Sequence, residues 1–133
     1  MNDKILTIAH WATRIIASAI LAMGAIPKFT GGAGELIEKL PGGAASATLI
    51  GVAELAAIVL MLLPRTAMLG TMAAGLIMLG AVGSHLVGPV GMEGDFATML
   101  VMALIALVAS AAGTAIAWRR GYRLPLVAPQ PAA

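Results

Sequence analysis

Four long apolar runs dominate the pattern of hydrophobic and polar positions along the chain. They cover residues 5–26, 44–63, 66–86 and 96–118, and most charged residues lie outside them. A transmembrane helix needs about 20 predominantly apolar residues, because each residue adds about 1.5 Å towards a hydrocarbon core about 30 Å thick. Each run meets this length, so the pattern predicts four membrane-spanning helices.

The connections between these runs are short, which makes successive helices antiparallel neighbours. Only residues 64–65, a Pro-Arg pair, separate the second run from the third. The first run is too long for the apolar core of a cleaved signal peptide, which has about 7 to 15 residues. We therefore predict an all-α fold, an integral membrane antiparallel four-helix bundle over residues 1–118. Residues 119–133 follow it as a basic, proline-containing cytoplasmic tail, disordered from residue 124.

The longest polar connection, residues 30–43, contains an apolar pattern of its own. Leu36, Ile37 and Leu40 recur at helical spacing, and glycine pairs flank the segment on both sides. Two interpretations stay open: a short amphipathic helix lying on the membrane surface, or a polar loop with one turn of helix.

Small and hydroxylated residues punctuate the third and fourth runs. Gly70 with Ala74, and Gly80 with Ser84, are small-xxx-small pairs that allow close helix packing. The hydroxyls of residues 110 and 114 are expected to bond to backbone carbonyls of their own helix.

Composition excludes a soluble protein. The chain is 60% hydrophobic and 11% charged, against about 25% charged residues in soluble domains. A net charge of +2 is too small to indicate a nucleic-acid partner. The absence of cysteine excludes disulfides, thiolate metal sites and dithiol redox chemistry within this chain. Two histidines at opposite ends lack the spacing of a metal site.

The charged residues predict an orientation. Four spans bring both termini to one side of the membrane, and that side carries most of the basic residues; they are Lys4, Arg65, Arg119, Arg120 and Arg123. By the positive-inside rule we expect both termini to be cytoplasmic, in a multi-pass protein of the plasma (inner) membrane.

Two charged residues lie deep inside the predicted spans. Glu54 is the eleventh residue of the second run, and Arg14 lies about 15 Å into the first span, counted from Lys4. Arg14 shares one helical stripe with other polar residues of its span, which are Thr7, His10, Ser18 and Lys28. Intramembrane charges tend to face the bundle interior and to pair.

Depth counting gives these charges partners. If Ala44 and Lys28 mark the same membrane face, Glu54 lies about 15 Å and Arg14 about 21 Å below it, which predicts a buried pair of Arg14 with Glu54. The same counting brings four polar residues to a non-cytoplasmic mouth, and these are Lys28, His85, Glu93 and Asp95.

Short motifs spread over residues 9–86 resemble the DoxX-like family of small four-helix membrane proteins. They are Arg14, Gly24, Lys28-Phe29, Leu40-Pro41, Glu54-Leu55, Pro64-Arg65, Met78, Gly80-Ala81 and His85-Leu86. The resemblance implies an antiparallel four-helix bundle, and some members belong to a thiosulfate:quinone oxidoreductase or associate with membrane redox and thiol-handling complexes. Ala56 and Ala57 stand where glycines often follow the glutamate of the family.

Two functions are expected from the residues and this resemblance. The first is a non-catalytic subunit or accessory protein of a membrane, redox-linked complex, with a membrane protein or a second copy as partner, no catalytic activity and no intrinsic cofactor. The second is binding of a small apolar ligand, a quinone or a lipid, with Glu54, Arg14 or His85 as the polar contact. A proton-linked transporter ranks below both.

The orientation can be tested with single cysteines introduced at Gly32, Thr66, Gly94 and Ala128. A membrane-impermeant thiol reagent should label intact cells only at Gly32 and Gly94, because those positions lie on the non-cytoplasmic side. Labelling at Ala128 would reverse the orientation.

Overall fold

The computed structural model of the chain describes residues 2–125 and 131, and it is all-helical over them, as predicted. The elements in chain order are α1 (Asp3–Thr30), α2 (Gly34–Lys39), α3 (Gly43–Leu62), a 3-10 turn (Pro64–Thr66), α4 (Ala67–Leu86) and α5 (Asp95–Arg119). Four helical segments, α1, α3, Pro64–Leu86 and α5, are long and apolar enough to cross a membrane. The protein is therefore a multi-pass membrane protein.

The first span is longer than the apolar run that predicts it. Helix α1 begins at Asp3, where the side chain of Asn2 accepts a hydrogen bond from the Lys4 backbone N–H at 2.9 Å. It continues through Pro27 and ends at Gly31, which has φ 85°. Proline removes one backbone hydrogen bond but is tolerated in membrane helices. The connection after α1 contains the six-residue helix α2, which favours the short helix among the two interpretations that the sequence left open.

The four long helices form a square in which each helix packs against two antiparallel neighbours. Helix α1 packs against α3 and α5, and α4 packs against the same two helices. One end of the bundle contains the start of α1, the α3–α4 turn and the end of α5, and we call it the terminal end. The opposite end, which carries α2 and the α4–α5 connection, is the distal end.

The core of the bundle consists mainly of small residues. Six alanines and two methionines join one leucine and one valine in a single cluster, namely Ala17, Leu21, Ala57, Met61, Ala74, Met78, Val82, Ala103, Ala106 and Ala109. Large apolar side chains such as Leu49, Leu76 and Val108 point outward. Alanine lets helices approach closely, and the outward side chains suit a lipid environment.

One small-xxx-small pair marks a helix contact and the other does not. A Cβ atom added at Gly70 would collide with the backbone of Leu60 and Met61, so α4 lies directly against α3 there. A Cβ added at Gly80 would meet no atom of the described residues within 4 Å.

The segment after α5 is folded onto the bundle where it begins. Tyr122 is 2% exposed and packs against Met68 and Ala117, after a turn at Gly121 with φ 86°. Most of the predicted disordered tail, residues 126–130 and 132–133, lies outside the described residues.

The contact at Gly70 predicts opposite effects for two matched substitutions in α4. Gly70→Ala should lower the thermal unfolding midpoint in detergent, because the new methyl group displaces the backbone of α3. Gly83→Ala should leave the midpoint unchanged or raise it, since its Cβ would meet nothing within 4 Å and alanine favours the helix. Equal midpoints for the two variants would contradict this packing.

Candidate functional site

A buried salt bridge joins α1 to α3 in the distal half of the bundle. Lys28 Nζ lies 2.8 Å from Glu54 Oε2, and each side chain is 5% exposed. Lys28 Nζ also donates to the Gly24 carbonyl at 2.7 Å. A side chain at position 24 would crowd the carboxylate, because a Cβ there would lie 3.2 Å from Glu54 Oε1. The glycine therefore leaves room for the ion pair.

The expected pair of Arg14 with Glu54 is thereby corrected: the partner of Glu54 is Lys28. The depth count placed Ala44 level with Lys28. In the structure Gly51 lies beside this part of α1, since a Cβ on Gly51 would come within 2.8 Å of the Phe29 ring and 3.5 Å of Lys28 Cβ. The seven-residue difference shifts α3 by about 10 Å, which carries Glu54 to the level of Lys28 and away from Arg14.

Arg14 lies in the terminal half, where it reaches the carboxyl end of α3. Its Nε donates to the Met61 carbonyl, next to the last residue of that helix. Its guanidinium carbon lies 4.0 Å from the centre of the Trp11 ring. The last carbonyls of a helix lack intrahelical partners and carry partial negative charge, so a cation is favourable at this position.

The Lys28–Glu54 pair lies in the wall of a cavity of about 1000 Å³. All five helices contribute to its wall, which is largely apolar. The polar lining residues include Lys28, Glu54, Ser84 and His85, joined by the exposed Glu35 and Asp95. Ligand pockets typically have about 300 to 1000 Å³, with apolar walls and a few placed polar groups. The cavity has these properties.

His85 is held by the connection between α4 and α5. Its Nδ1 lies 2.7 Å from the Gly91 carbonyl oxygen, and its ring centre lies 6.3 Å from that of Phe96. Because a carbonyl can only accept, Nδ1 carries the proton, and a neutral imidazole then presents Nε2 as an acceptor. Lys28 has a third N–H beyond the two used by Glu54 and Gly24. The cavity wall thus offers one donor and one acceptor.

The four predicted mouth residues are divided between two adjoining depressions. Lys28, His85 and Asp95 line the large cavity, and Glu93 does not. Glu93 lines a depression of about 420 Å³ together with Glu35, Lys39 and Asp95. Among residues 2–125 and 131, no three His, Cys, Asp or Glu side chains are grouped to hold a metal ion.

The sequence held one signal for the true partner of Glu54 that depth counting passed over. Lys28 shares the polar stripe of Arg14, but the depth count used Lys28 only to mark the membrane face. Two glycines, Gly24 and Gly51, mark where α1 and α3 come close enough to bury the lysine.

Of the two expected hydroxyl contacts with backbone carbonyls, the one made by Thr114 is confirmed. Thr114 Oγ1 lies 2.9 Å from the Ser110 carbonyl oxygen and 2.9 Å from Thr71 Oγ1, and its single O–H donates to one of them at a time. The Ser110 hydroxyl itself is buried without a hydrogen-bond partner among the described residues.

Comparison with known proteins adds no relative. No protein-family model, no curated protein and no solved structure matches this chain. The resemblance to the DoxX-like family therefore stays a prediction.

The ion pair can be measured by a double-mutant cycle in detergent. Glu54→Gln and Lys28→Met should each lower stability, because removal of one partner of a buried pair typically costs about 3 to 5 kcal/mol. The double variant should recover part of the loss, since no unpaired charge remains. The exposed Glu38→Gln serves as the control for loss of a carboxylate.

The same cycle run with Arg14→Gln and Glu54→Gln should give additive losses, because these side chains do not meet. A coupling in that cycle, with none between Lys28 and Glu54, would contradict the observed register of α1 and α3.

Proposed function

We propose that the protein binds a small amphipathic membrane molecule, a quinone or a lipid, in the distal cavity. The observation that carries this proposal is the position of the Lys28–Glu54 pair in the wall of a largely apolar cavity of about 1000 Å³. An ion pair placed only to join two helices does not require so large a volume beside it.

The polar groups suit the head of such a molecule. The free N–H of Lys28 can donate to a carbonyl or phosphate oxygen, and Nε2 of a neutral His85 can accept from a hydroxyl. Apolar side chains such as Ile20, Met99 and Met102 line the same cavity and can hold a hydrocarbon portion. Burial of apolar area supplies affinity, and the few polar contacts fix the orientation.

The orientation of the termini determines in which half of the membrane the cavity lies. If both termini are cytoplasmic, the distal cavity lies in the non-cytoplasmic half of the inner membrane. A ligand would then enter from the non-cytoplasmic leaflet or from the adjoining aqueous phase. The function of an accessory subunit in a redox-linked complex stays a prediction. It is tested by whether a protein partner co-purifies with this chain.

The binding proposal is tested by mass spectrometry of small molecules that co-purify with monodisperse protein. Ala81→Phe places a large ring in the cavity wall and should abolish ligand retention. Leu79→Phe is the matched control, because Leu79 lies on the same helix and points outward with 58% exposure. Equal retention in both variants would refute the cavity as the site.

The contribution of the ion pair is tested separately with Lys28→Met/Glu54→Leu. This variant should stay folded, because apolar residues can often replace a buried ion pair without loss of stability. It should retain at least tenfold less ligand, which corresponds to loss of a hydrogen bond to a charged group. Unchanged retention would make the pair a structural element alone. A stoichiometric protein partner in place of a small molecule would support the accessory-subunit function.

A further inference from the structure

The terminal half of the bundle contains a second set of buried polar groups, apart from the cavity. His10 is 0% exposed, Arg14 is 1% exposed, and Ser18 continues the same stripe of α1 one turn further. Both ring nitrogens of His10, Nη2 of Arg14 and the Ser18 hydroxyl lack hydrogen-bond partners among the described residues. Buried polar atoms are normally satisfied by protein, water or ions, so this group indicates a bound species.

The charge of Arg14 identifies the kind of species. The whole chain has six acidic residues, and four of them lie at the distal end: Glu35, Glu38, Glu93 and Asp95. Glu54 is engaged by Lys28. Asp3 lies eleven residues before Arg14 on α1, about 16 Å along the axis and beyond the reach of the guanidinium. No acidic side chain is therefore available to neutralise Arg14.

The structure offers Arg14 only partial compensation. The carboxyl end of α3, which Arg14 meets at the Met61 carbonyl, carries roughly half of a negative elementary charge. The face of Trp11 adds a cation–π contact at 4.0 Å. Both contacts leave Nη2 free and part of the positive charge unbalanced. A buried charge that is only partly balanced is strongly unfavourable inside a membrane bundle.

We propose that Arg14 and His10 form a binding site for a small monovalent inorganic anion of the chloride class. Arg14 Nη2 supplies a charged donor, and the imidazole N–H of His10, one helical turn nearer the terminal end, supplies a neutral one. The ring of Tyr122 covers His10 at 5.2 Å between ring centres, and Arg120 lies over the same tyrosine at 5.5 Å. Because His10 and Arg14 are both buried, the site favours a small ion over a chain-bearing lipid headgroup.

Trp11 provides a direct probe, because its ring contacts the guanidinium. The protein has two tryptophans, so Trp118→Phe leaves Trp11 as the only one. In nanodiscs at constant ionic strength, with gluconate replaced by iodide, fluorescence quenching should contain a saturable component. Chloride should compete with this component and gluconate should not. Collisional quenching of a ring that is 40% exposed gives only a linear component.

Three further variants in the Trp118→Phe background locate the site. Arg14→Met should lose the saturable component, whereas Arg65→Met, an exposed arginine at the same end, should retain it. His10→Phe keeps the cation and removes one donor, so the iodide concentration at half-saturation should rise roughly tenfold. If Arg14→Met fails to fold, His10→Phe tests whether the anion binds at this site.

Thermal unfolding of the unmodified protein gives an independent readout. Its midpoint should rise as chloride replaces gluconate, because a ligand that binds the folded state stabilises it. Linear quenching together with a midpoint independent of chloride would overturn the proposal and leave Arg14 satisfied by water. Saturable quenching that persists without Arg14 would place the anion elsewhere and overturn it too. Neither result bears on the distal cavity, whose residues these variants leave intact.

Discussion

The distal half of this bundle depends on the requirement that an ionisable group inside a membrane span has a partner. Glu54 meets that requirement through Lys28, and the resulting contact ties α1 to α3 where both helices approach the connection that contains α2. Glycine at position 24 leaves space for the carboxylate, and glycine at position 51 accepts the ring of Phe29. The two small residues thus allow the charges to meet and fix the relative positions of α1 and α3.

Small residues have opposite consequences at the two ends of the molecule. At Gly70, near the terminal end, the missing side chain brings α4 against the backbone of α3 and closes the bundle. At Gly80 and Ala81, nearer the distal end, the missing volume lies in the wall of the cavity. Small residues therefore close a helix contact where a neighbouring backbone fills the space, and leave a cavity where no neighbouring backbone does.

The two polar regions of the interior are separated by apolar core residues and differ in charge balance. The distal region holds a complete ion pair beside a large cavity, for which we propose an amphipathic membrane molecule. The terminal region holds an arginine whose protein contacts are a helix terminus and an aromatic ring. This arginine is buried, which suits a small ion. Size and charge are the reasons for which we propose different ligands for two regions built from the same four helices.

The sequence by itself determined the fold class and the number of spans, and it left the short helix between the first two spans as one of two interpretations. Length and apolarity decide these features, because a bilayer sets how many apolar residues a helix needs. The sequence also singled out Glu54, Arg14, Lys28 and His85 as polar residues in or near the spans. A charged residue within an apolar run can be identified from the sequence without knowledge of its partner.

Only the tertiary structure decided which of these residues meet. Pairing depends on the relative depth of two helices, and a shift of seven residues between α1 and α3 exchanged Arg14 for Lys28 as the partner of Glu54. That shift arises from Gly51 packing under Phe29, a contact between residues 22 positions apart in the chain. The cavity and the packing of Tyr122 on His10 were likewise invisible in the sequence, because both depend on side chains from distant helices meeting in space.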